Sequence, residues 1–195
     1  MVKGIVLGIV SGKGGVGKTT TAINLGTALH HRNERVVLID GSFTKPNISI
    51  HLGSPKTPTT LNDVLAGRIP VDQAFYVHAS GLCVIPSPIG PTFPEDVDYE
   101  ALGKLLALLK ATHDYIIIDA QPGLGTDVHK TISLTDAVLI VTAPDILSLT
   151  DALKTVHLTQ HHNKPIAGIV LNNVRREYFE LDAHNIEEIL EHPVI

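Results

Sequence analysis

The chain has 195 residues, 44% of them hydrophobic and 18% charged, with a formal net charge of −5. That length suits one domain that folds without cross-links, and the hydrophobic share excludes a disordered chain. The lone cysteine, Cys83, excludes a disulfide or an all-cysteine metal site within the chain, and the acidic sum weighs against a DNA-gripping basic face.

No apolar stretch reaches the ~18 residues that a membrane-spanning helix needs. The first run, Val2–Val10, lacks a small-residue cleavage site and leads straight into a glycine loop, so Gly4–Val10 reads as a strand rather than a signal segment. Gly12-Lys-Gly-Gly-Val-Gly-Lys18-Thr19 then fits G-x-x-x-x-G-K-[ST] between a strand and a helix, the context that gives this motif its mechanism. Glycines let backbone N–H groups turn toward phosphate oxygens, and the helix N-terminus adds partial positive charge. Lys18 is placed to reach β/γ-phosphates and the Thr19 hydroxyl to ligate Mg2+.

Thr19–His31 reads as a helix with Ala22, Ile23, Leu25, Ala28 and Leu29 on one side. Val36–Ile39 is a strand ending at Asp40, and Thr60–Asp63 is a helix start. Leu82–Ile85 is a strand containing Cys83, read as a small buried hydrophobe, and Pro86–Pro94 is a loop. Tyr99–Thr112 is a leucine-rich helix. Tyr115–Ile118 is a strand ending at Asp119, and Ala137–Val141 is the next strand. Ser148–His161 is a helix, Ile166–Leu171 a strand, and Asp182 starts a last helix over Ile186–Glu191. His192–Ile195 begins another strand. The strands are nearly unbroken apolar runs, as expected for a parallel sheet buried on both faces. Residues 1–195 therefore read as one α/β domain, a doubly wound, mostly parallel sheet with helices on both faces. The histidine pairs His30-His31 and His161-His162 fall at helix ends and match no metal template. Arg175-Arg176, the densest basic run, reads as solvated loop.

A second cation, Lys13, sits inside the glycine loop, and a generic phosphate loop does not need it. Lys13-Gly-Gly-Val-Gly-Lys18-Thr-Thr resembles the deviant Walker A motif of the MinD/ParA family of P-loop ATPases. The resemblance covers nearly the whole chain and is closest to archaeal MinD-like proteins. It implies a P-loop NTPase fold of the SIMIBI type, with ATP and Mg2+ as ligands. By this likeness Gly12, Lys13, Gly14, Gly15, Val16, Gly17, Lys18, Thr19 and Thr20 bind nucleotide. Lys13 reaches a partner's nucleotide across an ATP-sandwiched homodimer. Asp119 matches Walker B, and with Asp40 and Thr19 it surrounds the metal. Asn47 matches the switch I asparagine, Pro144 with Asp145 the adenine-side loop, and Asn172 the amide that reads the adenine edge.

The sequence also departs from the family. Ser42 stands where a second aspartate is usual, and a serine cannot act as a base at neutral pH. Gln121 replaces a usual proline and is a candidate for positioning water, and Asn173 replaces an arginine. Lys13, Lys18, Asp40, Ser42, Asn47 and Gln121 thus form the candidate catalytic set, with nucleotide binding intact and hydrolysis slow. The single cysteine sets the chain apart from iron–sulfur relatives, which hold clusters on paired cysteines.

The resemblance implies a cytoplasmic, ATP-switched dimer that positions cell-division or other machinery with an unidentified activator or cargo. One alternative is a nucleotide-binding interaction module with little turnover. Another is a small-molecule ligase or kinase, for which no second charged constellation stands out. Nucleic acid is not an expected partner. Glu187, Glu188 and Glu191 give the last helix the wrong sign for an anionic membrane. Against the family, a further strand and tail are expected beyond Ile195.

Overall fold

β-Branched residues dictate the centre of the sheet. In the computed structural model, which describes residues 4–43, 46–54, 58–89 and 97–195, the parallel strands are β1 (Ile5–Val10), β2 (Val36–Gly41), β4 (Cys83–Ile85), β5 (Tyr115–Ala120), β6 (Ala137–Thr142) and β7 (Ile166–Leu171). A two-residue strand, β3 (Tyr76–Val77), pairs antiparallel with β4 at one edge. The order is β3-β4-β2-β5-β1-β6-β7, a doubly wound sheet as expected. Val2 and Lys3 of the first apolar run, and residues 90–94 of the proline-rich loop, lie outside the described residues.

Side-chain alternation sorts the two faces. Val37, Ile39, Ile116 and Ile118 point to the side covered by α4 (Tyr99–Leu109), through Leu102, Leu105, Leu106 and Leu109. Leu38 and Ile117 point to the opposite side, where α1 (Lys18–His31) buries Ala22. Each fully buried leucine or isoleucine contributes roughly 1.5–3 kcal/mol, so two filled faces explain why the strands read as continuous apolar runs. Beyond β1, the α4 side continues through α5 (Thr126–Leu134), α6 (Ile146–His161) and α7 (Ala183–Leu190).

Several boundaries differ from the sequence pattern for local reasons. β2 and β5 each run two residues past their apolar runs, because Asp40 and Asp119 stay in the ladder as register partners. α6 starts two residues early, because the Asp145 carboxylate accepts from the Ser148 N–H at 2.9 Å and caps it there. α4 ends at Leu109 instead of Thr112. The expected starts hold elsewhere. Thr60 and Asp63 form a reciprocal capping box before α3 (Leu61–Leu65), and Asp182 caps α7. α5, the four-residue α2 (Ile48–His51) and a 3-10 turn at Val71–Ala74 carry too little periodic signal to be anticipated. Cys83 is half-buried and packs on the core.

The paired histidines sit in the last turns or caps of α1 and α6, as expected. The backbone N–H groups of Arg175 and Arg176 both donate to the Glu180 carboxylate in an exposed loop. At the β7 edge Val194 makes a single isolated parallel bridge with Ile169, and no strand follows α7 among the described residues.

Gly12 is where the loop after β1 meets α6. A Cβ there would lie 2.3 Å from the Asp151 carbonyl oxygen, a backbone atom that cannot swing aside. Gly12→Ala should therefore cost about 1–3 kcal/mol, as overpacked sites do. Urea unfolding measures this, and an unchanged midpoint would show that the loop does not press on α6.

Candidate functional site

The C-terminal ends of β1, β2 and β5 converge beneath the loop that precedes α1. Gly15 and Gly17 hold φ of +81° and +93°, a left-handed backbone that glycine adopts without strain. At Gly17 the space is closed as well, since a Cβ would meet the Asn172 amide nitrogen at 2.0 Å. That amide donates to the Val16 carbonyl at 2.9 Å, so β7 braces the loop from outside. One amide proton and the side-chain oxygen of Asn172 remain for a base edge. No side chain caps the N-terminus of α1, which leaves its first N–H groups for an anion.

A cavity of about 280 Å³ opens over these amides. Gly14, Gly15, Gly17, Lys18, Thr19 and Thr20 line it from the loop and helix, and Ser42 and Asn47 line it from the segment after β2. Below it, Lys18 Nζ lies 2.5 Å from Asp119 Oδ1, and the two side chains are only 7% and 0% exposed. The Thr19 hydroxyl donates to Asp119 Oδ2 at 2.7 Å. Asp40, on the neighbouring strand, accepts from the N–H groups of Ser42 and Ile48 at 3.1 and 3.2 Å. Burial, reinforced by the charge of Asp119, pushes Asp40 up to about 7. One buried cation thus faces two buried carboxylates, a local excess of negative charge that a further cation relieves.

Thr19, Asp119 and Asp40 are hard oxygen donors at one spot, and this set fits Mg2+, which takes one or two carboxylates beside substrate phosphates. Among the described residues no group of three or more His, Cys, Asp or Glu is arranged as a metal cage.

The sequence departures touch each other. The Ser42 hydroxyl donates to Gln121 Oε1 at 2.7 Å, joining the segment after β2 to the segment after β5. Lys13 lies on the other flank of the loop. Its Nζ is 3.3 Å from the Ser148 hydroxyl and 3.5 Å from Asp145 Oδ1. A second cavity of about 290 Å³ on that flank shares Gly14 and Gly15 with the first and is lined by Lys13, Val16, Pro144 and Asn173. Pro144 lines this cavity with Lys13 and Asn173, and Asn172 adjoins it through its bond to Val16. Three residues absent from the candidate site set also line the first cavity, Ser11, His51 and Pro122. His51 arrives on α2, a helix too short to be legible. Ser11 adjoins the motif but belongs to no pattern.

A profile of the ParA family described as NUBPL iron-transfer P-loop NTPase matches residues 2–188. An uncharacterized ATP-binding protein of Methanocaldococcus jannaschii is 38% identical over 194 residues, covering 98% of this chain and 72% of its own length. Among solved structures, the cell division ATPase MinD of Pyrococcus furiosus is 34% identical with a TM-score of 0.88, over 98% of this chain and 81% of that one. The septum site-determining protein MinD of Pyrococcus horikoshii, solved with Mg-ADP, is 30% identical with a TM-score of 0.87, over 97% and 79%. The iron of the profile description finds little support in the donors at hand. Cys83 is the single cysteine, and burial pushes its thiol up to about 11, away from the thiolate that binds iron.

Two outcomes test this geometry. A Cβ on Gly14 meets nothing within 4 Å, so Gly14→Ala should change stability by less than about 1 kcal/mol yet intrude on the cavity. Phosphate-analogue or nucleotide binding by calorimetry should fall sharply, and retained affinity would move the ligand elsewhere. Asp40 is raised in the folded state, so its stabilising effect is complete below about pH 4 and is lost as pH rises through about 7. In metal-free buffer the wild type should lose on the order of a few kcal/mol across that window relative to Asp40→Asn. Parallel pH–stability curves would refute the shift.

Proposed function

The chain belongs to the ParA/MinD family of P-loop NTPases, and from that premise we propose that it binds ATP with Mg2+, hydrolyses it slowly and uses the nucleotide to switch between monomer and homodimer. The observation that carries this is one loop holding two lysines with different surroundings. Lys18 is buried on Asp119, while Lys13 is 41% exposed on the opposite flank. A cation directed outward can serve a second subunit's phosphates, which would make nucleotide state and dimerisation a single equilibrium.

In this reading the amides of Gly12, Lys13, Gly14, Gly15, Val16, Gly17, Lys18, Thr19 and Thr20 cradle the phosphates. Pro144 and Asn172 sit toward the base. Thr19, Asp119 and Asp40 hold Mg2+, which when bound supplies charge neutralisation on the phosphate oxygens. A water oxygen bonds to the γ-phosphorus as the bond to the β–γ bridging oxygen breaks, releasing ADP and phosphate. Lys18 and Lys13 stabilise charge on the phosphate oxygens. Asn47, Ser42 and Gln121 orient the water. Neither Ser42 nor Gln121 takes its proton at neutral pH, so the proton leaves with the phosphate.

The 195 residues act as one ATPase domain, and the pairing of Val194 with Ile169 supports a further strand along β7. Relatives described as cell division and septum site-determining proteins support a role in positioning cell-division or other machinery, through an activator or cargo protein. No helix among the described residues is long and apolar enough to cross a membrane. We take the site of action to be the cytoplasm, with neither nucleic acid nor membrane as a partner of these residues. Sedimentation with ATP, ADP and no nucleotide is the test. A dimer only with ATP is the expected result, and an unchanged monomer in all three conditions sinks the switch.

One observation favours a second reading, a nucleotide-binding module with almost no turnover. Ser42 is tied to Gln121 where the family supplies a carboxylate. Steady-state ATPase should then lie near background and rise on Ser42→Asp, whereas brisk wild-type turnover eliminates it.

A further inference from the structure

β1 ends at Val10, and the next residue, Ser11, is 1% exposed. Its hydroxyl is buried and has no hydrogen-bond partner among the described residues. A buried hydroxyl left unpaired is costly, and such groups in folded proteins nearly always have an explanation. Ser11 also lines the cavity of about 280 Å³ described above. It shares that lining with Ser42 after β2 and Pro122 after β5. The Ser11 carbonyl is engaged, since the Gly123 N–H donates to it at 2.9 Å. The backbone at this position therefore anchors the segment that follows Asp119, while the side chain remains uncommitted.

We propose that the Ser11 hydroxyl donates a hydrogen bond to the terminal phosphate of a bound nucleoside triphosphate, so that Ser11 distinguishes triphosphate from diphosphate. This rests on the nucleotide reading of the site. The amides of Gly14–Thr20 surround the part of the cavity nearest α1, where the phosphates common to ATP and ADP lie. In the proposed reading Ser42 and Gln121 orient the water that attacks the γ-phosphorus, and Ser11 is tied to the segment of Gln121 through Gly123, two residues beyond it. A hydroxyl donating to an anionic oxygen forms a short, charge-assisted bond, and Ser11 itself is shielded from water. Ser42, which lines the same cavity, already spends its proton on Gln121 Oε1. Ser11 therefore offers an uncommitted hydroxyl proton to this cavity. Because Ser11 also holds Gly123, the terminal phosphate and the segment after Asp119 meet at one residue.

The test compares wild type, Ser11→Ala and Ser11→Cys, the last keeping side-chain bulk with a weak donor. Each full-length chain is melted without nucleotide and titrated with MgATP and MgADP. Ser11→Ala and Ser11→Cys should melt no lower than wild type without nucleotide, because they remove an unpaired group. Both should bind MgATP about tenfold more weakly while MgADP affinity changes less than about twofold, the scale of one charge-assisted hydrogen bond. If the variants melt markedly lower without nucleotide and keep the wild-type ratio of ATP to ADP affinity, the hydroxyl is structural and the proposal is overturned. Equal weakening for ATP and ADP also overturns it, since contact is then with a shared phosphate. A wild type that binds neither nucleotide fails differently, because it removes the nucleotide reading itself and this proposal with it.

Discussion

Asp119 is the fixed point on which the rest of the site depends. Its carboxylate is fully buried, with Lys18 on one oxygen and the Thr19 hydroxyl on the other. A charge in that position is tolerated only when paired and hydrogen-bonded, so Asp119 needs the start of α1 as much as α1 needs Asp119. The pair is possible because β5 lies beside β1 in the sheet, which brings residue 119 under a loop about a hundred positions earlier. The parallel register then sets Asp40 next to Asp119. Burial, reinforced by the neighbouring charge of Asp119, is why Asp40 holds its proton to about 7. The fold concentrates negative charge where a hard divalent cation would bind.

A division of labour follows around this point. Lys18 is locked into the protein, and Lys13 is not. Holding Lys13 near Asp145 and Ser148 keeps its charge partly solvated, and an exposed ion pair of this kind is worth only about 0–1 kcal/mol. Lys13 can leave that position at little cost, which suits a residue that acts between subunits. The segments after β2 and β5, by contrast, are linked directly by Ser42 and Gln121. Where relatives carry a carboxylate and a proline, this chain has two polar side chains that satisfy each other. Such a pair can hydrogen-bond solvent but, unlike a carboxylate, cannot accept a proton at neutral pH.

The family likeness is strongest in the scaffold and weakest where chemistry is tuned. Relatives bearing cell-division names share the sheet at TM-scores near 0.9. A family description that mentions iron transfer meets a chain with one half-buried cysteine of raised pKa. Fold likeness carries the loop and the sheet, while the donors available decide which ligands are held.

The sequence by itself determined the sheet and the phosphate loop. Buried parallel strands must be apolar throughout, and a backbone that wraps phosphate needs glycine where φ is positive, so both leave marks at fixed spacing. Asp40, Asp119, Lys13 and Ser42 were legible as members of a pattern, and the caps at Thr60 and Asp182 by their local chemistry. Only the tertiary structure decided what those residues touch. That Ser42 meets Gln121, that Asn172 braces Val16, that Lys13 rests on α6 and that Ser11 carries a buried, unpaired hydroxyl all depend on strand order and register. These contacts join residues from 79 to 156 positions apart, or turn on a hydroxyl without a hydrogen-bond partner among the described residues. Short elements such as α2, which brings His51 to the cavity, lie below the length at which periodicity can be read. Local patterns record what the backbone requires of each segment, and they are silent on which distant side chains packing brings together.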